Sequence, residues 1–198
     1  MPEFMQTRSQ TSISDNGMIN QVSGTDILMK IPTLFRPYVE LFQAIDGHGQ
    51  LWSPSGQFLG RLCSDIHKSN SIINPDGEYG SPYSLTSIHN RECEYGGETG
   101  EYSPFNPNSK NPPIVFYRCQ PLFVITTHLA LYTNGLKLID PYLMLTLYEA
   151  LSRIPKPAPN SSPTLIHSSA SVEELQTKLR PLNGSAFYAS PSLSSQLI

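Results

Sequence analysis

Between Ser71 and Asn106 the chain repeats itself every 16 residues. Asn74, Asn90 and Asn106 keep that spacing, as do Tyr79-Gly80 and Tyr95-Gly96, Ser87 and Ser103, and Glu78 and Glu94. A register held over two periods marks an internal repeat. Each unit reads Glu-Tyr-Gly, a short polar segment, then Ser-x-x-Asn. Asn and Ser side chains close turns on their own backbone. Gly after Tyr permits a positive φ, and the Tyr ring supplies apolar area that such a segment otherwise lacks. The unit therefore predicts stacked irregular turns and no regular strand. Two full copies are too few for a free-standing solenoid, so the array is expected to pack on neighbouring hairpins.

The flanks carry ordinary signals. With 13 Gly and 18 Pro in 198 residues, long helices cannot dominate. Hydrophobic residues make up 38% of the chain, enough for a modest core. A short helix is predicted over Pro37–Ala44, with Val39, Leu41, Phe42 and Ile45 on its apolar side. Gly49–Trp52 and Gln57–Leu62 read as strands joined by the turn Ser53–Gly56, anchored by Trp52 and Phe58. Ile114–Tyr117 and Leu122–Tyr132 read as a second pair of strands. Asn134-Gly135 reads as a turn and Leu136–Ile139 as a short strand. Asp140-Pro141 is a helix start, with Asp as N-cap and Pro in the first turn. Met144, Leu147, Tyr148 and Leu151 follow the helical period as far as Pro155. Ser171-Val172-Glu173-Glu174 spells a capping box for a helix carrying Leu175 and Leu179.

The predicted class is α+β: mainly β-hairpins and an irregular turn repeat, with a helix at about 140–154 and a short one at about 171–180. One domain is expected over residues 25–154, with the repeat at 71–106. Residues 1–24 read as a flexible tail, and residues 155–198 as a linker, the short helix and a loose tail. Met1-Pro2-Glu3-Phe4 reads as a scar ahead of a natural start at Met5.

Charge and targeting narrow the partners. The formal net charge is −3, and the 13 Lys and Arg are scattered, so no clustered basic face for nucleic acid is expected. No apolar run reaches the ~18 residues of a membrane span. The N-terminal stretch has no apolar core of a signal peptide. Cys63, Cys93 and Cys119 are odd in number and far apart, which predicts reduced thiols in a cytoplasmic protein.

The string Phe58-Leu59-Gly60-Arg61-Leu62, Glu78-Tyr79-Gly80-Ser81-Pro82-Tyr83-Ser84, Ser87-Ile88-His89-Asn90, Tyr95-Gly96, Tyr102-Ser103-Pro104-Phe105-Asn106 and Asn111-Pro112-Pro113-Ile114 is similar to a set of uncharacterised bacterial proteins, frequent in cyanobacteria. Those show tandem Tyr-Gly-Ser-x-Tyr-Ser-x-x-Ser-x-x-Asn units flanked by two β-hairpins. The similarity runs over roughly residues 49–133. It departs in the middle of the second unit, Gly97–Glu101, and in the ending of the second hairpin, Val124–Thr127. It implies organisation and no chemistry.

Catalytic motifs are sparse. No Gly-x-Ser-x-Gly elbow and no phosphate-binding glycine loop occurs. The histidines His48, His67, His89, His128 and His167 form no local ligand pair. A metal site would have to assemble from His67, His89, Cys63 and Cys93, and no metal or cofactor is assigned. Cys119 with His128 is the candidate nucleophile pair, brought face to face if adjacent strands hold them. Asn74–Glu78 offers oxygens for calcium but lacks the full loop pattern, so it reads as a turn. Tyr79, Tyr83, Tyr95 and Tyr102 are the candidate binding residues, because tyrosine gives contact area at little entropy loss. The expectation is a non-catalytic protein–protein interaction module acting through the Tyr/Gly/Asn repeat surface. The alternative is a small hydrolase with a nonlocal site drawn from His67, His89, His128, Asp65 and Cys119, with or without a metal.

Overall fold

Pro37 lies in the first turn of a helix, where a missing backbone N–H breaks no bond. In a computed structural model, which describes residues 32–154 and 171–179, that helix (α1) spans Arg36–Ile45 after a 3-10 turn at Thr33–Phe35. It is one residue longer at each end than Pro37–Ala44. The expected tail over 1–24, the scar, the linker after Ile154 and the Ser-rich end lie outside the described residues.

The two predicted hairpins both form. Strands β1 (Gly49–Trp52) and β2 (Phe58–Leu62) pair antiparallel. The connecting turn is closed by Ser53 N–H to Gln57 O at 2.9 Å, with Gly56 at φ +88°. Strands β3 (Ile114–Tyr117) and β4 (Gln120–Ile125) form the second hairpin. β1 also pairs antiparallel with β3, and β5 (Lys137–Ile139) lies parallel to β4. The sheet order is β2-β1-β3-β4-β5. The class is α+β, as expected. The strand predicted to run to Tyr132 ends at Ile125 instead. Thr126 Oγ1 accepts the His128 N–H at 2.9 Å and the Thr127 N–H turns to Pro104 O at 2.8 Å, so the backbone leaves the ladder there.

Asp140 caps helix α2 (Pro141–Ser152) by accepting the N–H groups of Tyr142 and Leu143 at 2.8 and 3.1 Å. Helix α3 (Val172–Lys178) starts on the predicted capping box: Ser171 Oγ accepts Glu174 N–H, and Glu174 accepts Ser171 N–H. The inner sheet face, with Leu51, Val115, Phe123, Ile125 and Ile139, is buried in one cluster with the apolar sides of all three helices. At its centre the Phe42 ring stands edge-on to Phe123 at 5.8 Å and to Tyr148 at 5.4 Å. The buried Tyr148 hydroxyl donates to Phe42 O at 3.3 Å, so its polar end is satisfied. α3 is pinned at its C-terminal end: Lys137 Nζ donates to the carbonyls of Gln176 and Leu179, each at 2.6 Å. A cation there also meets the negative end of the helix.

Candidate functional site

The repeat folds as an unbroken run of tight turns joined to the outer edge of β2. Ile72 N–H donates to Arg61 O at 3.0 Å, and Arg61 N–H donates to Asn70 O at 2.7 Å. Along the run, N–H groups of Ser84, Ser87, Asn90 and Cys93 donate three residues back, while Ser81 and Gly97 reach four residues back to Gly77 and Cys93. Four three-residue turns and one four-residue step close the 16-residue period. The asparagines repeat one geometry three times. Asn74, Asn90 and Asn106 each donate Nδ2 to a carbonyl six residues back, at 3.0, 3.0 and 2.9 Å. Each also accepts, on Oδ1, the N–H two residues on, at 3.0, 2.9 and 2.9 Å. Each Asn thus closes a turn and ties two passes of the chain together. Asn74–Glu78 is accordingly such a turn.

The coil winds once about every eight residues: Ser71 Oγ donates to Cys63 O at 2.7 Å and Ser87 Oγ to Tyr79 O at 3.0 Å. An eight-residue column, Ile72, Gly80, Ile88 and Gly96, faces inward, with both isoleucines fully buried. Large and small side chains alternate on successive passes, which doubles the period to 16. The glycines serve close approach. A Cβ on Gly80 would lie 2.1 Å from Asn74 O, and one on Gly96 would lie 2.3 Å from Asn90 O. Neither has the positive φ expected for it, since among the described residues the positive-φ glycines are Gly47, Gly56, Gly60 and Gly135. The coil ends against β4 and α2, where Phe105 is buried 5.1 Å from the Tyr142 ring, with Arg91 over its face at 5.2 Å.

The four candidate tyrosines divide. The Tyr79 ring meets Phe58 at 4.9 Å, extending an aromatic row that begins with Trp52 and Phe58 at 5.0 Å. Tyr95 is half-buried on the core and stacks with Tyr102 at 5.9 Å. The Tyr102 hydroxyl is held above the ordinary tyrosine range, first by the Glu101 charge. Tyr83 is 89% exposed, and Leu85, two residues on, is 74% exposed. Their turn is braced by Ser81 Oγ accepting Tyr83 N–H at 3.3 Å and by Ser84 Oγ accepting Thr86 N–H at 3.4 Å.

The titratable candidates are dealt to separate places. His89 lies along the coil, its Nε2–H donating to Ile72 O at 2.8 Å, and burial lowers its pKa below the ordinary imidazole range. His128 donates Nδ1–H to Ser109 O at 3.0 Å, beyond the far end of β4. Cys63 is buried, Cys93 is bonded to Ser87 O and Asn90 O, and Cys119 is exposed at the β3–β4 turn. The expected meeting of Cys119 and His128 does not occur. All six residues of β4 lie between them, about 20 Å at ~3.3 Å per residue. His67 is exposed on the Asp65 turn. Among the described residues no three His, Cys, Asp or Glu side chains gather closely enough to hold a metal.

The outer face of the sheet carries a groove of about 970 Å³. Paired strand residues share a face, and the register therefore lays two rows across it. Phe58, Trp52 and Ile114 form one, and Arg61, Gln50 and Phe116 the other. Trp52 Nε1–H donates to Gln50 Oε1 at 3.0 Å, which fixes the indole. Beyond the second row stand His48, Tyr117, Arg118 and Cys119. Arg118 and Cys119 form a two-residue turn with φ +50° and +64°, a left-handed backbone that neither residue type favours. The Arg118 guanidinium lies over the Tyr117 ring at 5.1 Å. Trp52 was legible in the sequence as a hairpin anchor. The groove was not, because its rows join strands more than fifty residues apart in the chain. No family model matches the chain, and no curated protein or solved structure matches it either.

Proposed function

We propose that the chain is a non-catalytic protein–protein interaction module that presents the surface of its turn coil. The observation that carries this reading is the exposed pair Tyr83 and Leu85 on a turn braced by side-chain hydrogen bonds. A rigid turn holds such side chains at little further loss of entropy on binding. Tyr79, Tyr95 and Tyr102 extend the candidate surface along the coil, each half-buried and held by a ring contact, Tyr79 on Phe58 and Tyr95 on Tyr102. The partner would meet an aromatic–aliphatic tip flanked by the half-buried Ser81, Ser84 and Thr86, a mixture of apolar centre and polar rim.

The test is a capture experiment with the double variant Tyr83→Ser/Leu85→Ser. Both side chains are exposed, so the variant should melt like the parent. The parent should retain one stoichiometric protein from host lysate that the variant loses. Equal retention by both would sink the reading, as would the absence of any stoichiometric protein on the parent.

A further inference from the structure

We propose that the groove on the outer face of the sheet binds a small carboxylate with an apolar body. This inference stands apart from the interaction surface on the coil and does not rest on it.

The groove is polarised. Its apolar end is built by Trp52, Ile114 and Pro54. The other end holds Arg61, in the neighbouring cross-strand row, with His48 and Arg118 beyond that row. Successive same-face rows are about 7 Å apart at ~3.3 Å per residue. An occupant therefore meets Arg61 and an aromatic wall within the length of one small molecule. Among the described residues no Asp or Glu lines the groove, although the chain as a whole is acidic, at −3. Neither groove arginine belongs to the ion pairs of the described residues, Arg91–Glu98 and Arg153–Glu149. Asp46, the carboxylate nearest in sequence to His48, accepts from the Ser64 N–H and hydroxyl, each at 2.6 Å, outside the groove lining.

The cationic end is also preset. Arg61 anchors one Nη on Gly47 O at 2.9 Å, and its buried Nε has no hydrogen-bond partner among the described residues. His48 donates Nδ1–H to Asp46 O at 3.0 Å, which turns Nε2 away from that bond. Arg118 is held on the Tyr117 ring. A guanidinium matches a carboxylate with paired N–H donors. The volume, about 970 Å³, falls within the range of small-ligand clefts. The occupant is thus an acid with its carboxylate toward Arg61 and Arg118 and an aliphatic or aromatic body along Trp52.

Trp52 is the single tryptophan of the chain, so its emission reports on this groove alone. The full chain is titrated with octanoate and 3-phenylpropanoate, and with their neutral amides. Saturation-transfer NMR on each probe serves as a second readout. Both acids should saturate the Trp52 response, and the amides should bind at least about tenfold more weakly, as loss of a charge-assisted hydrogen bond predicts. Arg118→Asn removes the charge with a residue that tolerates the left-handed turn. It should weaken the acids about tenfold and leave the amides unchanged. Equal binding of acid and amide would overturn the proposal. So would the absence of saturation transfer to either acid at millimolar concentration, or acid binding unchanged in both Arg118→Asn and Arg61→Gln. Tighter binding of an acidic tetrapeptide than of either acid would replace the small ligand by a polypeptide. None of these outcomes depends on Tyr83 or Leu85.

Discussion

Gly80→Ala should cost far more stability than an exposed glycine of the same chain. The added Cβ would sit 2.1 Å from Asn74 O and 2.6 Å from Asn74 C and N. All three are backbone atoms, which cannot rotate aside as a flexible side chain would. Relief requires Asn74 to move, and Asn74 holds two bonds, Nδ2 to Lys68 O at 3.0 Å and Oδ1 to Asp76 N at 3.0 Å. Overpacking against fixed atoms costs about 1–3 kcal/mol, and two weakened hydrogen bonds add about 1 kcal/mol each. The smaller entropy of the unfolded alanine chain returns about 0.4–1 kcal/mol. The net loss is about 2–5 kcal/mol, on the order of 10 °C in Tm for a domain of this size. The comparator is Gly56→Ala, at φ +88° with nothing within 4 Å of the new Cβ, where backbone strain alone costs about 1–2 kcal/mol. Urea unfolding followed by Trp52 emission measures both. A Gly80→Ala variant within about 1 kcal/mol of the parent, a loss no larger than backbone strain alone, would refute close approach. So would a more damaging Gly56→Ala, since conformational freedom would then explain the repeat glycines.

Other predictions follow from single contacts. The His89 imidazole is pushed below its ordinary range first by burial, with Arg91 adding to the shift and the Ile72 carbonyl opposing it. The unfolded chain therefore takes up a proton near pH ~6.5 while the folded chain does not. Stability should be full above that pH and fall as pH drops through it, until the folded histidine also protonates. Urea midpoints across pH 5–8 for the parent and for His89→Gln check this, and an identical pH slope in both would remove His89 from the account. Lys137→Met should loosen α3, since Nζ bridges the Gln176 and Leu179 carbonyls. Faster amide exchange confined to Val172–Leu179 is the expected signature, and unchanged exchange there would contradict it. Cys119→Gly should stabilise the chain by about 0.5–1 kcal/mol by relieving the left-handed φ of +64°. A destabilised melt would show that the Cys119 side chain contributes more than its backbone strain.

Local chemistry made much of the frame readable. Asp140 beside Pro141, and Ser171 three residues before Glu174, announce helix starts through groups that lie within one turn of each other, and both helices begin there. The Ser53–Gly56 turn marks the first hairpin for the same reason. The 16-residue spacing predicts a turn array, and its asparagines act through bonds reaching no more than six residues. The reason for Gly80 and Gly96 was less visible, because a glycine in a sequence does not say whether it is needed for φ or for space. The strand expected at the end of the second hairpin overruns at Thr126. Val124-Ile125-Thr126-Thr127 favours a strand by composition, and the tie of Thr127 to Pro104 crosses more than twenty residues.

Elements with short-range causes are readable along the chain: caps, turns, the apolar sides of α1 and α2, and the period of the coil. What those elements present follows from tertiary packing. It placed Phe58 under Tyr79, set Cys119 and His128 at opposite ends of β4, and left Tyr83 outward on the coil. The groove depends on β1 pairing with β3 across an interval that contains the whole repeat. A one-residue slip in that register would turn Phe116 and Ile114 to the other face. Cross-strand register is a property of the packed sheet, so Arg61, Gln50 and Phe116 become neighbours only after the core on the opposite face has chosen it.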